Sequence, residues 1–148
     1  MLSYGVTRVE IGVQSLHERV YKIVNRGHNY NDVIDSFQIS KDSGYKIVAH
    51  MMPGLPTMTP NEDINDFKKL FNDSNLKPDM LKIYPSLVLK NTPLYNDYLE
   101  KNMNHILTKK CYMYLLKQKK WFQNGLELCA FREKLHLVKF RLVQKQAI

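Results

Sequence analysis

The stretch Arg8-Val9-Glu10-Ile11-Gly12-Val13-Gln14-Ser15 alternates apolar and polar residues almost without a break. Successive side chains of an extended chain point to opposite faces, so Val9, Ile11 and Val13 share one face and Glu10, Gly12 and Gln14 the other. The design recurs twice. Lys46 to Met51 sets Ile47, Ala49 and Met51 behind Val48 and His50, and Met80 to Tyr84 sets Leu81 and Ile83 behind Lys82 and Tyr84. These segments start 38 and then 34 residues apart, room for a strand, a helix and a loop, the unit that builds a parallel sheet by right-handed crossovers. Strands covered by helices on both faces are usually apolar throughout. A polar front is expected instead of a barrel or half barrel that packs helices outside and holds a polar ligand inside. The sequence therefore predicts an α/β fold: a partial (βα) barrel of about three parallel strand-helix units. Gln14, His50 and Tyr84 should lie at the C-terminal rim, where such folds bind ligands.

Helix signals fill the gaps. Ser15 and Glu18 have capping-box spacing ahead of Leu16, Val20, Ile23 and Val24. Asn29 with Asp32 opens a second helix, with Val33, Ile34 and Phe37 inward and Gly44 closing it. Thr59, Pro60 and Glu62 place a cap, a first-turn proline and a box glutamate before Ile64, Phe67, Leu70 and Phe71. Between them, Met52-Pro53-Gly54-Leu55-Pro56 is restricted to a rigid, non-helical turn that can hold backbone against a ligand.

Composition divides the chain near Lys101. Residues 1–101 hold 12 Lys plus Arg and 12 Asp plus Glu, whereas residues 102–148 hold 10 and 2, so the whole net charge of +8 lies in the last third. All 6 prolines precede the division and both cysteines, Cys111 and Cys129, follow it. Their spacing lacks the CxxC pairing of a metal site. No run of 18 apolar residues occurs and the start lacks the order of a secretory signal, so a chain of the cytoplasm, and also of the nucleus, with no membrane attachment is expected. Three strand units are too few to close a barrel of typically ~250 residues, and the first 101 read as a piece of a larger domain.

Taken together, RVEIGVQS, NRGHN, SGYKIVAHMMPGLP, LKIYPSLV and TPLY resemble the radical S-adenosylmethionine (SAM) domain of the Elongator catalytic subunit family, the tRNA wobble-uridine carboxymethylation enzymes. The resemblance runs from Met1 to about Glu100. It implies a partial (βα) barrel holding a 4Fe-4S cluster through a CxxxxxxxxxCxxC motif, followed by an acetyl-CoA-binding acetyltransferase domain, with tRNA and other Elongator subunits as partners. In the complete family, cluster-bound SAM is thought to yield a 5′-deoxyadenosyl radical that activates an acetyl group for addition to C5 of the uridine. No cysteine lies between Met1 and Lys110, and such a cluster is held by thiolates, so no catalytic or metal-ligating residue is assigned and the chain alone is expected to be inactive. On the family's pattern Gln14 is expected to contact the SAM ribose. Glu10, Gly12, His50, Met51, Pro53 and Gly54 complete the expected cofactor wall. Lys82, Tyr84 and Arg26 are assigned to substrate, with His28 beside Arg26 in the same loop. Each has a structural alternative, foremost a lumen ion pair of Glu10 with Lys82.

The resemblance stops at Asn102. Reading from each codon's third base, Lys119 to Gly125 permits KMVPKW, Leu126 to Leu135 permits VRIMRIQREI, and His105 to Lys120 permits YTYEEVLYVFAKAKK, strings similar to the family's own continuation. Residues 102–148 are therefore read as an out-of-frame translation, expected to be irregular or helical. Two other readings stay open. Ten cations interspersed with Tyr112, Trp121 and Phe131 suit a small basic RNA- or subunit-binding module. The GVQS string also occurs in other radical SAM enzymes such as coproporphyrinogen dehydrogenase-like proteins, although HMMPGLP and LKIYP speak against that.

Overall fold

The three alternating segments become neighbouring parallel strands. A computed structural model of the chain describes residues 2–84, 86, 90–100 and 127–131. After a 3-10 turn at Leu2–Tyr4 come strand β1 (Arg8–Gln14), helices α1 (Glu18–Ile23) and α2 (Tyr30–Asp42), strand β2 (Lys46–Met51), helix α3 (Pro60–Asn72), strand β3 (Met80–Ile83), helix α4 (Pro93–Leu99) and strand β4 (Glu127–Phe131). The sheet order is β1-β2-β3-β4, with every neighbouring pair parallel.

The oily backs of the strands meet the helices in one core. Val13, Ile47, Ala49, Met51, Leu81 and Ile83 from the sheet pack with Val33 and Phe37 of α2 and with Phe67 and Leu70 of α3. Burying each large aliphatic or aromatic side chain contributes about 1.5–3 kcal/mol, and this stripe is what fixes the register. A slip of one residue would turn Ile47, Ala49 and Met51 toward the polar front.

Helices α2 and α3 begin where local chemistry directs. Asn29 accepts from the backbone of Asn31 and Asp32 while Asp32 accepts from Asn29 in return; Thr59 and Glu62 make the same reciprocal box, with Pro60 opening the helix. Gly44 follows α2 at a φ of 78°, a left-handed position that glycine adopts at no steric cost. At α4, Thr92 Oγ1 accepts from Tyr95 N–H (3.3 Å) and Pro93 takes the first turn.

Three expectations are corrected. Ser15 does not cap α1: the cap position is His17, with no side-chain bond, because the Ser15 hydroxyl is drawn to Asp66 (2.8 Å). Helix α1 is accordingly short and buries Val20 and Tyr21, leaving Ile23 47% exposed instead of inward. Lastly, the basic tail, expected to be irregular or helical, supplies β4, paired parallel to β3 from Met80↔Glu127 to Ile83↔Phe131 with a register shift. An open strand edge offers unpaired N–H and C=O groups to any extended segment, and Leu128, Cys129 and Phe131 are compatible with one. The remaining tail residues, with the tail's Tyr112 and Trp121, lie outside the described residues.

Candidate functional site

The polar fronts of β1, β2 and β3 converge on Glu10. Its Oε1 accepts from Lys82 Nζ at 2.5 Å and its Oε2 lies 2.8 Å from His50 Nε2. Because His50 and Lys82 are direct cross-strand partners, one carboxylate on β1 ties together the two strands beyond it. The bond from Lys82 holds the Glu10 carboxyl below its usual range, against a smaller opposing effect of burial, and His50 adds to the lowering. Side-chain exposure falls from 50% at Glu10 to 26% at His50 and 19% at Lys82, so the row is open at β1 and covered toward β3. Beyond it the Tyr84 ring sits 5.6 Å from the His50 ring at a 54° tilt. Glu10 and Lys82 cancel in charge, and the lumen pair read from the sequence is what they form.

A second group surrounds the end of β1. The regular β1/β2 register breaks between Ile11 and Gln14, and Gln14 sits at a φ of 63°, a left-handed conformation uncommon outside glycine and often found at functional sites. Its carbonyl accepts from Met52 N–H (2.9 Å). Arg26, from the loop after α1, donates through Nη2 to the Gly12 carbonyl at 2.6 Å. A Cβ on Gly12 would stand 3.2 Å from that Nη2, so glycine leaves the space the guanidinium uses. Arg26 thus joins Gly12 and Gln14 and not the row of Lys82 and Tyr84. Behind it, the Tyr21 hydroxyl reaches the carbonyls of Val13 (3.1 Å) and Ser15, and the Tyr21 and His28 rings are 5.1 Å apart. Arg26 Nε and His28 Nε2 are buried without a hydrogen-bond partner among the described residues.

The turn after β2 completes the rim. Gly54 lies at a φ of 81°, Pro53 is fully buried, and the Pro53 carbonyl accepts from Ser86 N–H (2.9 Å). The Gly54 N–H donates to Asp63 Oδ2 (3.0 Å), so that amide is already engaged. Met51 differs from its sequence assignment beside a cofactor: its side chain is 2% exposed and belongs to the core behind the sheet, because it follows His50 on an alternating strand.

Sequence reasoning missed the two carboxylates behind this rim. Asp63 and Asp66 of α3 are each 5% exposed. Asp66 Oδ2 accepts from Ser15 Oγ (2.8 Å) and Leu16 N–H (2.9 Å), and its Oδ1 is 3.2 Å from His17 Nε2. A signal was present: Asp63 precedes Phe67, and Asp66 precedes Leu70, by four residues, which places both acids on the buried stripe.

Known proteins resemble this chain in sequence and in fold. The Radical SAM superfamily model matches residues 1–71. Over 95 residues, or 64% of the chain, the sequence is 53% identical to Elongator complex protein 3 of Saccharomyces cerevisiae and 52% identical to that of Homo sapiens. The chain spans 17% of the length of these curated relatives. Among solved structures, the archaeal Methanocaldococcus infernus Elp3 with an N-terminal deletion superposes with a TM-score of 0.73 and 32% identity, covering 91% of this chain and 32% of that one. Coproporphyrinogen III oxidase from Escherichia coli, a radical SAM enzyme, shares the fold at a TM-score of 0.63 and 17% identity, over 84% of this chain and 28% of its own.

The superfamily implies SAM and a 4Fe-4S cluster in its complete members. The residues present do not fit the cluster: no cysteine occurs in residues 1–110, and among the described residues no group of three or more His, Cys, Asp or Glu could hold a metal. The rim is a better match to SAM, whose sugar, base and amino-acid end need directed hydrogen bonds; Gln14, His50 and the unpartnered Arg26 Nε are groups of that kind. No helix among the described residues is long and apolar enough to cross a membrane. In its parallel strands and over its 95 matched residues, the first part of this chain is similar to a part of Elongator complex protein 3, in the region that the Radical SAM superfamily model matches.

Proposed function

We propose that residues 1–101 correspond to part of the radical domain of a tRNA wobble-uridine C5 carboxymethylation enzyme, inactive by themselves, and that residues 102–148 are an out-of-frame continuation. In this reading Gln14, Glu10, Gly12, His50 and the Pro53–Gly54 turn face SAM. Lys82 and Tyr84 face the substrate side and Arg26, bonded to the Gly12 carbonyl, stands with the SAM-facing end of β1, while acetyl-CoA and the other Elongator subunits engage parts of the relatives that this chain does not span. The observation that carries the reading is Gln14, held at a positive φ on the C-terminal rim of parallel strands, where such folds place their ligand contacts.

The test has two arms. Anaerobic reconstitution of the purified chain with iron and sulfide is expected to give no 4Fe-4S absorbance and no 5′-deoxyadenosine from SAM; stoichiometric cluster with SAM cleavage would overturn the inactivity. Titration with S-adenosylhomocysteine, followed by amide NMR, is expected to move Gly12, Gln14 and His50 and to leave the α2 surface unchanged. Shifts confined to α2, or none at all, would remove the rim as the binding site.

A further inference from the structure

Helix α3 buries two carboxylates where a helix covering a sheet would ordinarily bury apolar side chains. Asp66 receives Ser15 Oγ and Leu16 N–H at 2.8 and 2.9 Å and has His17 Nε2 at 3.2 Å, so one side chain fastens three successive residues of the loop leaving β1. One turn earlier, Asp63 receives Gly54 N–H at 3.0 Å and fastens the turn leaving β2. The two loops are also joined directly, since Met52 N–H donates to the Gln14 carbonyl at 2.9 Å. A closed circuit results, running from Gln14 through Ser15 to Asp66, along α3 to Asp63, across to Gly54, and back through Met52 to Gln14.

This circuit has Gln14 at its one strained point. A left-handed non-glycine residue persists only where its surroundings over-determine it. Here the constraint arrives from both sides: Ser15 and Leu16 are held by Asp66, and the Gln14 carbonyl is held by Met52, two residues before the glycine that Asp63 holds. From this geometry we infer that Asp63 and Asp66 are positioning residues, which set Gln14 and the Pro53–Gly54 turn as one unit for ligand binding at the rim. The inference rests on the reading of that rim as a SAM-facing site, and it assigns α3 a part in the site although neither carboxylate lines it.

The experiment compares the full chain with Asp66→Asn, Asp63→Ala and Asp63→Asn. Asparagine at 63 keeps a carbonyl for the Gly54 N–H and serves as the conservative control; asparagine at 66 loses the charge that strengthens the bonds from Ser15 and Leu16 and replaces the oxygen facing His17 with an NH2 donor. Expected in folded Asp66→Asn are a tenfold or greater rise in hydrogen exchange at Leu16, a displaced Gln14 backbone resonance and at least tenfold weaker S-adenosylhomocysteine binding. Asp63→Ala should free the Gly54 amide and move Gln14, and Asp63→Asn should restore both. A merely structural role would lower stability while leaving the Gln14 resonance and the affinity of the folded molecules as in the parent, and that result overturns the inference. Should Asp66→Asn fail to fold, Ser15→Ala removes one donor of the same carboxylate and must displace Gln14; an unmoved Gln14 there also overturns it. If the parent chain binds no S-adenosylhomocysteine, the rim reading fails while the Gln14 and exchange measurements still decide whether α3 positions the loop.

Discussion

Asp63 carries the sharpest consequence of any single residue. Burial pushes its carboxyl from 3.8 up to about 7, the bond from Gly54 N–H opposes this, and the charges of Asp66 and Glu62 reinforce it. Because the folded state holds the proton more tightly than the unfolded chain, the stabilising contribution is complete below pH 3.8 and is lost as pH rises through about 7. Glu62 has the opposite sign. Burial opposes its ionisation, but Thr59 and Arg19 outweigh it and hold the carboxyl at about 2, so its contribution is present above 4.5 and is lost as pH falls toward 2. Urea denaturation of Asp63→Asn between pH 4 and 8 is therefore expected to remove a downward slope that the parent shows, at most about 1.4 kcal/mol per pH unit. Parallel stability curves for the two proteins would place the Asp63 carboxyl near its ordinary range. Lys82, whose polar-front position follows from alternation alone, was legible as a partner of Glu10, whereas His50, placed on the same front by the same alternation, was assigned to the ligand and its contact with Glu10 was not read. Asp63 was less legible, because an acid in a helical pattern reads as solvent-facing unless its distance from Phe67 is weighed.

At the scale of elements, what the sequence specified locally is what formed. The boxes at Asn29 and Thr59 each need only four consecutive residues, and both helices begin there. Thr59→Ala is expected to cost about 1 kcal/mol, read as a lower urea midpoint with an unchanged slope; an unaltered midpoint would mean that the Arg19–Glu62 pair (2.5 Å) suffices to hold the start of α3. Helix α1 shows why the same reasoning failed at Ser15. Its hydroxyl has the right spacing to Glu18, but a buried carboxylate 51 residues away offers a charge-assisted bond, roughly twice as strong as a neutral one, and the loop turns to take it. Glu18, left without that role, instead accepts from Tyr30 N–H at 2.6 Å and links the start of α2 to α1. Long-range competition of this kind leaves no trace in a local pattern.

The molecule as a whole joins two unlike sequences in one sheet. Strands β1 to β3 come from residues of balanced charge whose alternation anticipates their pairing, and β4 comes from a segment whose composition breaks with everything before it. Pairing with β3 requires of β4 an extended backbone and side chains tolerant of a strand, and its register shift at Leu81/Lys82 has a counterpart in the β1/β2 pair between Ile11 and Gln14. An out-of-frame tail is expected to form isolated helix or none, so a further parallel strand at 127–131 weighs against that origin, and the nucleotides separate the two. If residues after about Lys101 are out of frame, the coding strand read from each third base gives an uninterrupted frame through KMVPKWVRIMRIQRE and on into an acetyltransferase domain. A selected tail makes the opposite prediction, with stop codons or unrelated sequence in that second frame. It also predicts that removing residues 102–148 abolishes tRNA binding beyond the salt-sensitive attraction that ten cations exert on any phosphate backbone. Sequencing the transcript through the Lys101 codon is expected to recover the open second frame. An interrupted frame, with tRNA affinity that survives high salt and vanishes on truncation, would make β4 and its flanking residues a nucleic-acid-binding addition to the half barrel.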